Sequence, residues 1–591
     1  MLLPTLFLLA AAFPAAAVAP SPLETALDQE LDRAMLTFQE RGQPPYYVSL
    51  EVEERDLTRV SATAGALEQS HTEQENHLDV ELRVGTPDLD STHPLRGMSS
   101  LRDEPRRSVA IPIDPEGSYA LRHAVWKELD ARWRDAIERI VVVRANQTVK
   151  VAEELPAPDF ELRERVIDRQ EVRFQKVDLP VWEDALRQVS ARLDENPAVQ
   201  HSQAVLQIEN LRKTLVDSDG TRVVHGGTWA RVAVSVGATG PDGDELSIDR
   251  VLSFRDVSHL PSTDALLSLA TEATQTLVLQ ISAPRGEPYS GPVLLDGKAA
   301  AVFFHEVLGH RVEGQRLKLD SEGKTFLEYV GRPVLPAFLD VIDDPTLRTL
   351  NGEDLNGWYA YDDEGVAAER TVIVDDGVFS GFLMGRSPLP DFPRSNGHGR
   401  RSTGKAPSSR MGNTLVQASQ TVPRAKLRGM LLEEVKRQGL PYGLFVDEIE
   451  GGFTMTGRVL PNAFNVRVID AWRVYADGRP DERIRGVDLV GTPLVAFAGV
   501  MAAGDDMGIF NGTCGAGSGW VPVSAASPTL LLRSMEAQLK EKGEDRPPLL
   551  PKPGASPASA ARTDGVFDAT APRRMIARDG DGASAAREDR R

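Results

Sequence analysis

The spacing of apolar residues separates a first half that mixes helices and strands from a second half that is rich in strands. Residues 22–40 carry apolar side chains at helical intervals, and residues 46–53 then alternate between apolar and polar. Residues 57–66 are predicted to be the hairpin partner of that first strand, and residues 77–84 show the same alternation. The chain therefore begins with a helix followed by antiparallel strands.

The rest of the first half repeats both patterns. Helical spacing returns over residues 123–146 and 182–195. A charged strand pair is predicted between residues 160 and 177, and further strands are predicted over residues 204–252. Residues 20–285 are therefore predicted to form an α+β domain built on an antiparallel sheet, and their composition suggests no chemistry.

The pattern changes near residue 284, where glycine becomes frequent and short apolar runs alternate with turns such as Asp375-Asp376-Gly377. Residues 286–539 are predicted to form a β-rich C-terminal domain with one embedded helix that carries His305. Residues 540–591 are rich in Pro, Ala, Arg and Asp and are predicted to be a disordered tail. The predicted fold class is α+β, an antiparallel-sheet domain with helices followed by this β-rich domain.

Residues 1–19 combine an apolar run with small residues, and Ala15-Ala16-Ala17 and Ala17-Val18-Ala19 both offer small-x-small cleavage patterns. This arrangement predicts a signal peptide and export to the periplasm or the extracellular space. An uncleaved membrane anchor is the alternative, but Pro4 and Pro14 would make a poor spanning helix. No stable membrane insertion is expected once the signal has been cleaved.

The net charge and the cysteine content limit which partners and which covalent cross-links the protein can have. The formal net charge is −20, which disfavours nucleic acid as a partner because nucleic acid attracts basic surfaces. The single cysteine, Cys514, rules out an intramolecular disulfide, so the exported domains must be held together by core packing.

The strongest chemical pattern is His305-Glu306-Val307-Leu308-Gly309-His310. A catalytic zinc ion needs three protein ligands and an open position for water. In the familiar helical motif the two histidines are four residues apart and share one face, whereas here they are five apart, or roughly 140° around a regular helix. We therefore predict that the helix breaks or forms a widened turn at Gly309.

Glu306 is the candidate general base, because a carboxylate beside a metal-bound water can accept its proton. The leading candidate for a third ligand is Cys514, whose flanking residues in Gly512-Thr513-Cys514-Gly515 are small enough for close backbone approach. The alternative is that His305 and His310 are ordinary packed or surface residues and that Cys514 is a small buried hydrophobe.

Residues 286–535 resemble the TldD/PmbA metalloprotease family, in its TldD-like branch that bears the zinc motif. The resemblance rests on several blocks in the same order: His305 to His310, Val312-Glu313-Gly314, Asp362-Asp363-Glu364-Gly365, Gly399-Arg400-Arg401, Arg410-Met411-Gly412-Asn413-Thr414, Gly512-Thr513-Cys514-Gly515 and Val521-Pro522-Val523. It implies that His305, His310 and Cys514 bind one Zn²⁺ per chain and that Glu306 is catalytic.

The resemblance also implies an activity and a partner. Family members cleave unfolded or extended peptides, which pair like strands at a partly enclosed site between domains. They form dimers, so this chain is expected to form a homodimer or a heterodimer with a related subunit. Two positions depart from the family pattern: Ser518-Gly519-Trp520 replaces a segment that usually bears glutamine, and Arg311 replaces a small residue.

Four further residues are candidates for substrate binding: His398, Arg400, Arg401 and Arg410. The arginines could bind peptide carboxylates or carbonyls, or they could be structural partners of the acidic run 362–364. His398 could bind substrate or a metal ion, but the sequence favours a histidine in a turn of a loop. Two alternatives to a peptidase remain, a non-catalytic partner subunit that binds peptides and a zinc hydrolase of non-peptide amides.

Overall fold

The structure is a computed structural model that describes residues 19–95, 108–113, 119–149, 155–319, 321–457 and 463–541, together with a few positions between 543 and 553. The predicted signal peptide, apart from residue 19, and nearly all of the predicted tail lie outside the described residues. Within the described residues, no helix is both long enough and apolar enough to cross a membrane.

The N-terminal half is a seven-stranded sheet with the strand order β5-β2-β1-β7-β8-β6, to which β9 is added beside β8. Its helices are α1 (Pro22–Glu40), α2 (Tyr119–Val149), α3 (Leu179–Asp194) and α4 (Thr263–Ser282). Its strands, with the separate β3–β4 pair, are β1 (Tyr47–Thr63), β2 (Ala66–Arg83), β3 (Gly85–Thr86), β4 (Leu89–Asp90), β5 (Ser108–Ile111), β6 (Ile167–Arg169), β7 (His201–Asp217), β8 (Arg222–Thr239) and β9 (Glu245–Phe254).

The alternation along β1 explains how this sheet is covered. Val48, Leu50 and Val52 pack in one core with α1 and α2, and Val60 and Ala62, on the same face, pack in a second core with α3 and α4. The intervening residues face the other way, where Glu51 and Glu53 are buried against the C-terminal half. One face of the sheet is therefore apolar, and the other contains a polar contact between the two halves.

The structure corrects two predictions in this half. Residues 57–66 are not a hairpin partner, because β1 continues to Thr63 and turns at Ala64-Gly65, where φ is 49° and 81°, into β2. Positive φ at both turn residues is what a tight hairpin requires. Residues 160–177 do not form a strand pair either; only Ile167–Arg169 is a strand, and it pairs in parallel with β8. The helices at 123–146 and 182–195 are confirmed.

The C-terminal half contains two larger sheets. In the first, with the order β10-β19-β20-β22-β26-β23, β10 also pairs with β26, so part of the sheet closes on itself. The second, six-stranded sheet has the order β15-β14-β11-β18-β25-β24. The strands are β10 (Tyr289–Leu295), β11 (Leu339–Asp343), β12 (Thr349–Leu350), β13 (Glu353–Asp354), β14 (Thr371–Asp375), β15 (Val378–Phe379), β16 (Gly399–Arg400), β17 (Ser408–Ser409), β18 (Asn413–Ala418), β19 (Tyr442–Thr454), β20 (Phe464–Tyr475), β21 (Glu482–Ile484), β22 (Val487–Gly491), β23 (Val500–Ala503), β24 (Gly508–Ala516), β25 (Gly519–Ser527) and β26 (Leu530–Leu539).

Among the described residues, three α-helices accompany these sheets: α5 (Gly297–Val307), α6 (Arg424–Arg437) and α7 (Pro493–Ala498). The β-rich character of this half is confirmed, and α5 is the predicted helix that carries His305. The sequence prediction missed α6, which packs on the first sheet through Leu427, Leu431 and Val435. Helix α5 lies between the two sheets and contacts β19, β24 and β25, so it is positioned by both of them.

Candidate metal centre

Helix α5 is a core helix that is apolar around most of its circumference. Every residue in it except Lys298 is buried, and Phe303 and Phe304 pack against Phe497. Its first turn is capped by the Asp296 side chain, which accepts a hydrogen bond from the Lys298 amide at 3.3 Å. Because a helix buried on all sides has little freedom to move, the position of His305 is fixed by packing.

The predicted break between the two histidines is present. The α-helix ends at Val307, and residues Gly309–Arg311 form a single 3₁₀ turn, which is tightened rather than widened. This change of direction brings the rings of His305 and His310 to a centroid separation of 5.5 Å. Glycine is needed here for space, since a Cβ on Gly309 would lie 1.9 Å from Sδ of Met411.

The third side chain comes from the outer strand of the second sheet. Sγ of Cys514, on β24, lies 3.2 Å from Nε2 of His305 and 3.3 Å from Nε2 of His310. All three potential ligand atoms lie within 4.8 Å of one another, and all three residues are buried. Tetrahedral zinc bonds of the usual lengths place nitrogen and sulfur ligands about 3.5 Å apart, so the donor set and its spacing fit Zn²⁺.

The charges in the cluster favour the ionised thiol. Burial acts to raise the pKa of Cys514, but the two neighbouring imidazoles outweigh it and hold that pKa well below its usual range. Burial acts to lower the pKa of His310, but Glu313 and the Cys514 thiolate reverse the effect and raise it to about 10. Burial acts to lower the pKa of His305 too, but the Cys514 thiolate and Glu306 reverse the effect and raise it. A divalent cation can take the place of the protons that such a thiolate and imidazoles hold.

Glu313 orients His310 from behind. One of its oxygens, Oε1, lies 3.2 Å from Nδ1 of His310, and the Arg316 guanidinium donates to the other at 2.5 Å. Burial opposes the charge of this carboxylate, yet Arg316 and His310 hold the pKa of Glu313 below its usual range. A carboxylate behind a ligating imidazole fixes the ring and makes it a better donor. Sequence reasoning gave Glu313 no role, although its place three residues after His310 was a usable signal.

Arg410 connects the two parts of the cluster. Its guanidinium is fully buried, lies 3.2 Å from Oε1 of Glu313, and donates to the Cys514 carbonyl at 2.6 Å and the Gly519 carbonyl at 2.9 Å. The same side chain therefore contacts the residue behind His310 and the turn that presents Cys514. This is a structural position beside the cluster, away from the open cleft.

Glu306 follows His305 and lies opposite Gly451 and Gly452 of β19. A Cβ added to Gly452 would lie 3.2 Å from Cγ of Glu306. The backbone at this end of α5 is held by Arg311, which donates to the Val307 carbonyl at 3.0 Å and the Ala463 carbonyl at 3.1 Å. Arg311 therefore ties the helix end to the β19–β20 hairpin.

The cluster opens into a cleft of about 540 Å³ that Glu306, His305, His310 and Cys514 all line. Its walls include two strand edges. One belongs to β24, the outer strand of its sheet, and the other to residues 448–454 of β19, which pair only with β20 within the described part of the chain. The register of β19 shifts repeatedly before Gly451, as strands often do beside functional sites.

The four candidate substrate-binding residues are all buried, and none of them lines this cleft. His398 faces Asp343 at 3.2 Å, and Arg400 donates to the Met411 carbonyl at 2.6 Å. Arg401 pairs with Glu51 at 2.8 Å and with Asp79 at 2.9 Å in the contact between the two halves. The structure therefore shows protein partners for His398, Arg400, Arg401 and Arg410, and substrate binding by them remains a prediction.

The site is a candidate mononuclear metal centre of the hydrolase type. It combines two histidines and a glutamate at the end of α5 with a cysteine on the outer strand β24. Residues 288–538 match the family described as the PmbA/TldA metallopeptidase C-terminal domain. This match agrees with the family that the sequence resemblance indicated.

Individual relatives agree with this assignment. A metalloprotease from Archaeoglobus fulgidus is 32% identical over 266 residues, which cover 44% of this chain and 56% of the relative. A zinc metalloprotease TldD homologue from Saccharolobus solfataricus is 20% identical over 333 residues, covering 56% of this chain and 69% of the relative. The chain spans about half the length of the first curated relatives it matches.

The fold is also similar to a solved structure. The crystal structure of TldE from Thermococcus kodakarensis superposes with a TM-score of 0.56 at 12% identity, covering 87% of this chain and all of the other. At this identity the similarity concerns the fold alone, and it extends over both halves of the chain.

Proposed function

We propose that this protein is a zinc-dependent metallopeptidase that hydrolyses unfolded or extended peptides through a metal-activated water. The observation that carries the proposal is that Cys514 Sγ lies within 3.3 Å of both imidazole Nε2 atoms in a cleft that Glu306 also lines. His305, His310 and Cys514 would hold one Zn²⁺, which when bound polarises the scissile carbonyl and lowers the pKa of its water. The name of the Saccharolobus relative supports the choice of zinc.

Glu306 supplies the proton transfers. Its carboxylate is positioned to accept a proton from the attacking water and to deliver it to the leaving amine. Of the two glutamates next to the histidines, Glu306 is the one that lines the cleft, whereas Glu313 is engaged by Arg316, Arg410 and His310. Arg311 keeps the backbone at Glu306 in place by bonding the adjacent carbonyls.

The two strand edges account for the preference for extended chains. A peptide can add to β24 or to residues 448–454 of β19 through backbone hydrogen bonds, which require an extended substrate and tolerate many sequences. Folded proteins do not offer such a strand to a cleft of about 540 Å³. Unfolded polypeptide is therefore the proposed substrate class.

The test compares the parent with Glu306→Gln, which keeps the shape of the side chain and removes its basicity. Both proteins are assayed for zinc content and for degradation of unfolded casein, with Glu369→Gln, an exposed glutamate, as the control. We expect zinc in all three and degradation by the parent and the control only. Zinc with equal degradation by Glu306→Gln would contradict the proposal. Zinc without degradation by the parent would favour a non-catalytic subunit or a hydrolase of another amide.

We also propose that the protein is exported and acts as a homodimer or with a related subunit. The support for export is the apolar run and small-residue pattern of residues 1–19, and the support for dimerisation is the family resemblance. Fractionation of the producing cells, with sequencing of the mature N-terminus, tests export. Sedimentation of the purified protein tests assembly, and a monomer at micromolar concentration would contradict the homodimer.

A further inference from the structure

The rim of the cleft carries exposed aromatic side chains. Trp520 is 70% exposed and Phe453 is 51% exposed, and both line the cleft that contains Glu306 and Cys514. Large apolar side chains that stay in water at the mouth of a cleft mark a surface that another molecule covers.

The indole of Trp520 has a defined place beside Cys514. Trp520 on β25 pairs with Gly515 on β24, the residue that follows Cys514. A Cβ on Gly515 would lie 2.9–3.0 Å from three carbons of the indole ring, so the ring covers the bare backbone of Gly515. The absence of a side chain at Gly515 thus lets the ring lie flat against the strand edge next to the cluster.

Phe510 takes the corresponding place on the opposite face of β24. Side chains alternate along a strand, so Phe510, Gly512 and Cys514 share one face, while Gly515 and its partner Trp520 share the other. The Phe510 ring covers Gly512, where an added Cβ would lie 2.5 Å from its Cζ. The edge of β24 therefore presents one aromatic ring on each face.

A peptide that pairs with this edge projects its side chains alternately towards the same two faces. We propose that Trp520 forms a subsite for a bulky apolar side chain, aromatic or branched aliphatic, on the peptide residue that lies beside Gly515 and projects to the Trp520 face, one position from the residue beside Cys514 and close to the bond that is cut. This inference rests on the proposed peptidase function and adds a substrate preference to it.

The charges in the cleft agree with an apolar subsite. Arg316 is paired with Glu313 at 2.5 Å, and Arg467 is paired with Glu450 at 3.0 Å. Both of these lining arginines already have acidic partners, so neither offers an unpaired charge to a charged side chain. Trp520 and Phe453 offer stacking and apolar contact to a side chain at the rim.

The first experiment measures kcat/KM for short, internally quenched peptides that differ at one position, with Phe, Leu, Ser or Asp. We expect the parent to favour Phe and Leu over Ser and Asp by about tenfold or more. Trp520→Ala should remove most of that preference through a higher KM for the apolar peptides, and Trp520→Phe should keep much of it. Trp126→Ala, an exposed tryptophan on α2 outside the cleft, is the matched control and should behave as the parent.

The second experiment does not depend on catalysis. The same peptides, labelled with a fluorophore, are titrated with two proteins, the single variant Glu306→Gln and the double variant Glu306→Gln/Trp520→Ala. Tighter binding of the Phe and Leu peptides that disappears with Trp520→Ala supports the subsite, even if no peptide is cleaved. An unchanged preference in Trp520→Ala would overturn it. A change of oligomeric state with no change of preference would also overturn it, and would assign Trp520 to a subunit contact.

Discussion

Sγ of Cys514 lies 3.2 Å from Nε2 of His305, although 209 residues separate the two in the chain. His305 is carried by a buried helix between two sheets, and Cys514 by the outer strand of one of them. Each side chain is positioned by its own element, and Arg410 links the Cys514 backbone to Glu313 behind His310. The positions of the ligands thus depend on the residues packed around them. Substitution of a residue that holds a ligand in place should therefore change the metal affinity of the site.

Glu313→Gln tests this dependence. Loss of the carboxylate behind His310 makes that imidazole a weaker ligand, and we expect zinc affinity to fall roughly 10- to 100-fold. Competition with a chromophoric chelator measures the affinity, and Glu369→Gln serves as the control. Equal zinc affinity in Glu313→Gln and the parent would show that Glu313 contributes only to packing.

Gly309→Ala tests the packing at the helix break. The added Cβ would lie 1.9 Å from Sδ of Met411, and overpacking of this kind should lower the free energy of unfolding by about 1–3 kcal/mol. Gly429→Ala is the control, because nothing lies within 4 Å of its Cβ position in α6 and alanine favours a helix by about 1 kcal/mol.

Denaturant titration gives both values, and Met411→Ala completes the cycle. If the clash with Met411 is the cause, Gly309→Ala should cost much less in the Met411→Ala background than in the parent. A cost that is the same in both backgrounds would assign the effect of Gly309→Ala to the backbone instead.

Arg401→Met distinguishes between two roles of this arginine, ion pairing that stabilises the fold and binding of the substrate. Arg401 pairs with Glu51 and Asp79, both buried, so its removal takes a hydrogen-bonded cation from two buried carboxylates, although Glu51 keeps Lys213 at 3.5 Å. We expect the free energy of unfolding to fall by about 3–5 kcal/mol. Chemical denaturation measures it, and a fully stable variant with a raised KM for peptides would instead support the predicted role in substrate binding.

His225 makes stability depend on pH. Burial, with help from the nearby Lys213 charge, lowers the pKa of His225 from 6.5 to about 4 in the folded protein. The neutral form is therefore favoured on folding, so its contribution is complete above pH 6.5 and is lost as the pH falls towards about 4. The loss corresponds to about 3 kcal/mol.

Urea titrations at several pH values between about 7 and 4 measure this contribution. The parent should lose more stability over that range than His225→Gln, whose side chain does not titrate. His71→Gln, at an exposed position on β2, is the control and should follow the parent. Parallel curves for the parent and His225→Gln would contradict the assignment.

The sequence predicted the parts of the site that lie close together in the chain. The five-residue spacing of His305 and His310 required a break at Gly309, and the small residues around Cys514 marked it as a possible ligand. Arg410 was missed as a support because its role depends on contacts with Glu313 and Cys514, each about a hundred residues away in the chain. Glu313 was missed although its place three residues after His310 was a usable signal. The sequence did not show why position 309 is glycine, because the glycine makes room for Met411, which is distant in the chain, and does not adopt a positive φ.

The fold shows the same limit. Apolar alternation identified the strands of the first half but not where they turn, so β1 was divided at a point where the strand continues to Thr63. The alternation at residues 160–177 was real, yet only Ile167–Arg169 finds a partner strand. Pairing is decided by the neighbouring strand, which a local pattern does not contain.

The most direct test of the account is the metal content of the purified protein. Elemental analysis of the parent and of Cys514→Ser, with circular dichroism to verify that both are folded, measures zinc per chain. The account predicts one Zn²⁺ per chain in the parent and little or none in Cys514→Ser. A folded parent that binds no zinc, or a Cys514→Ser variant that retains it fully, would contradict the proposed site.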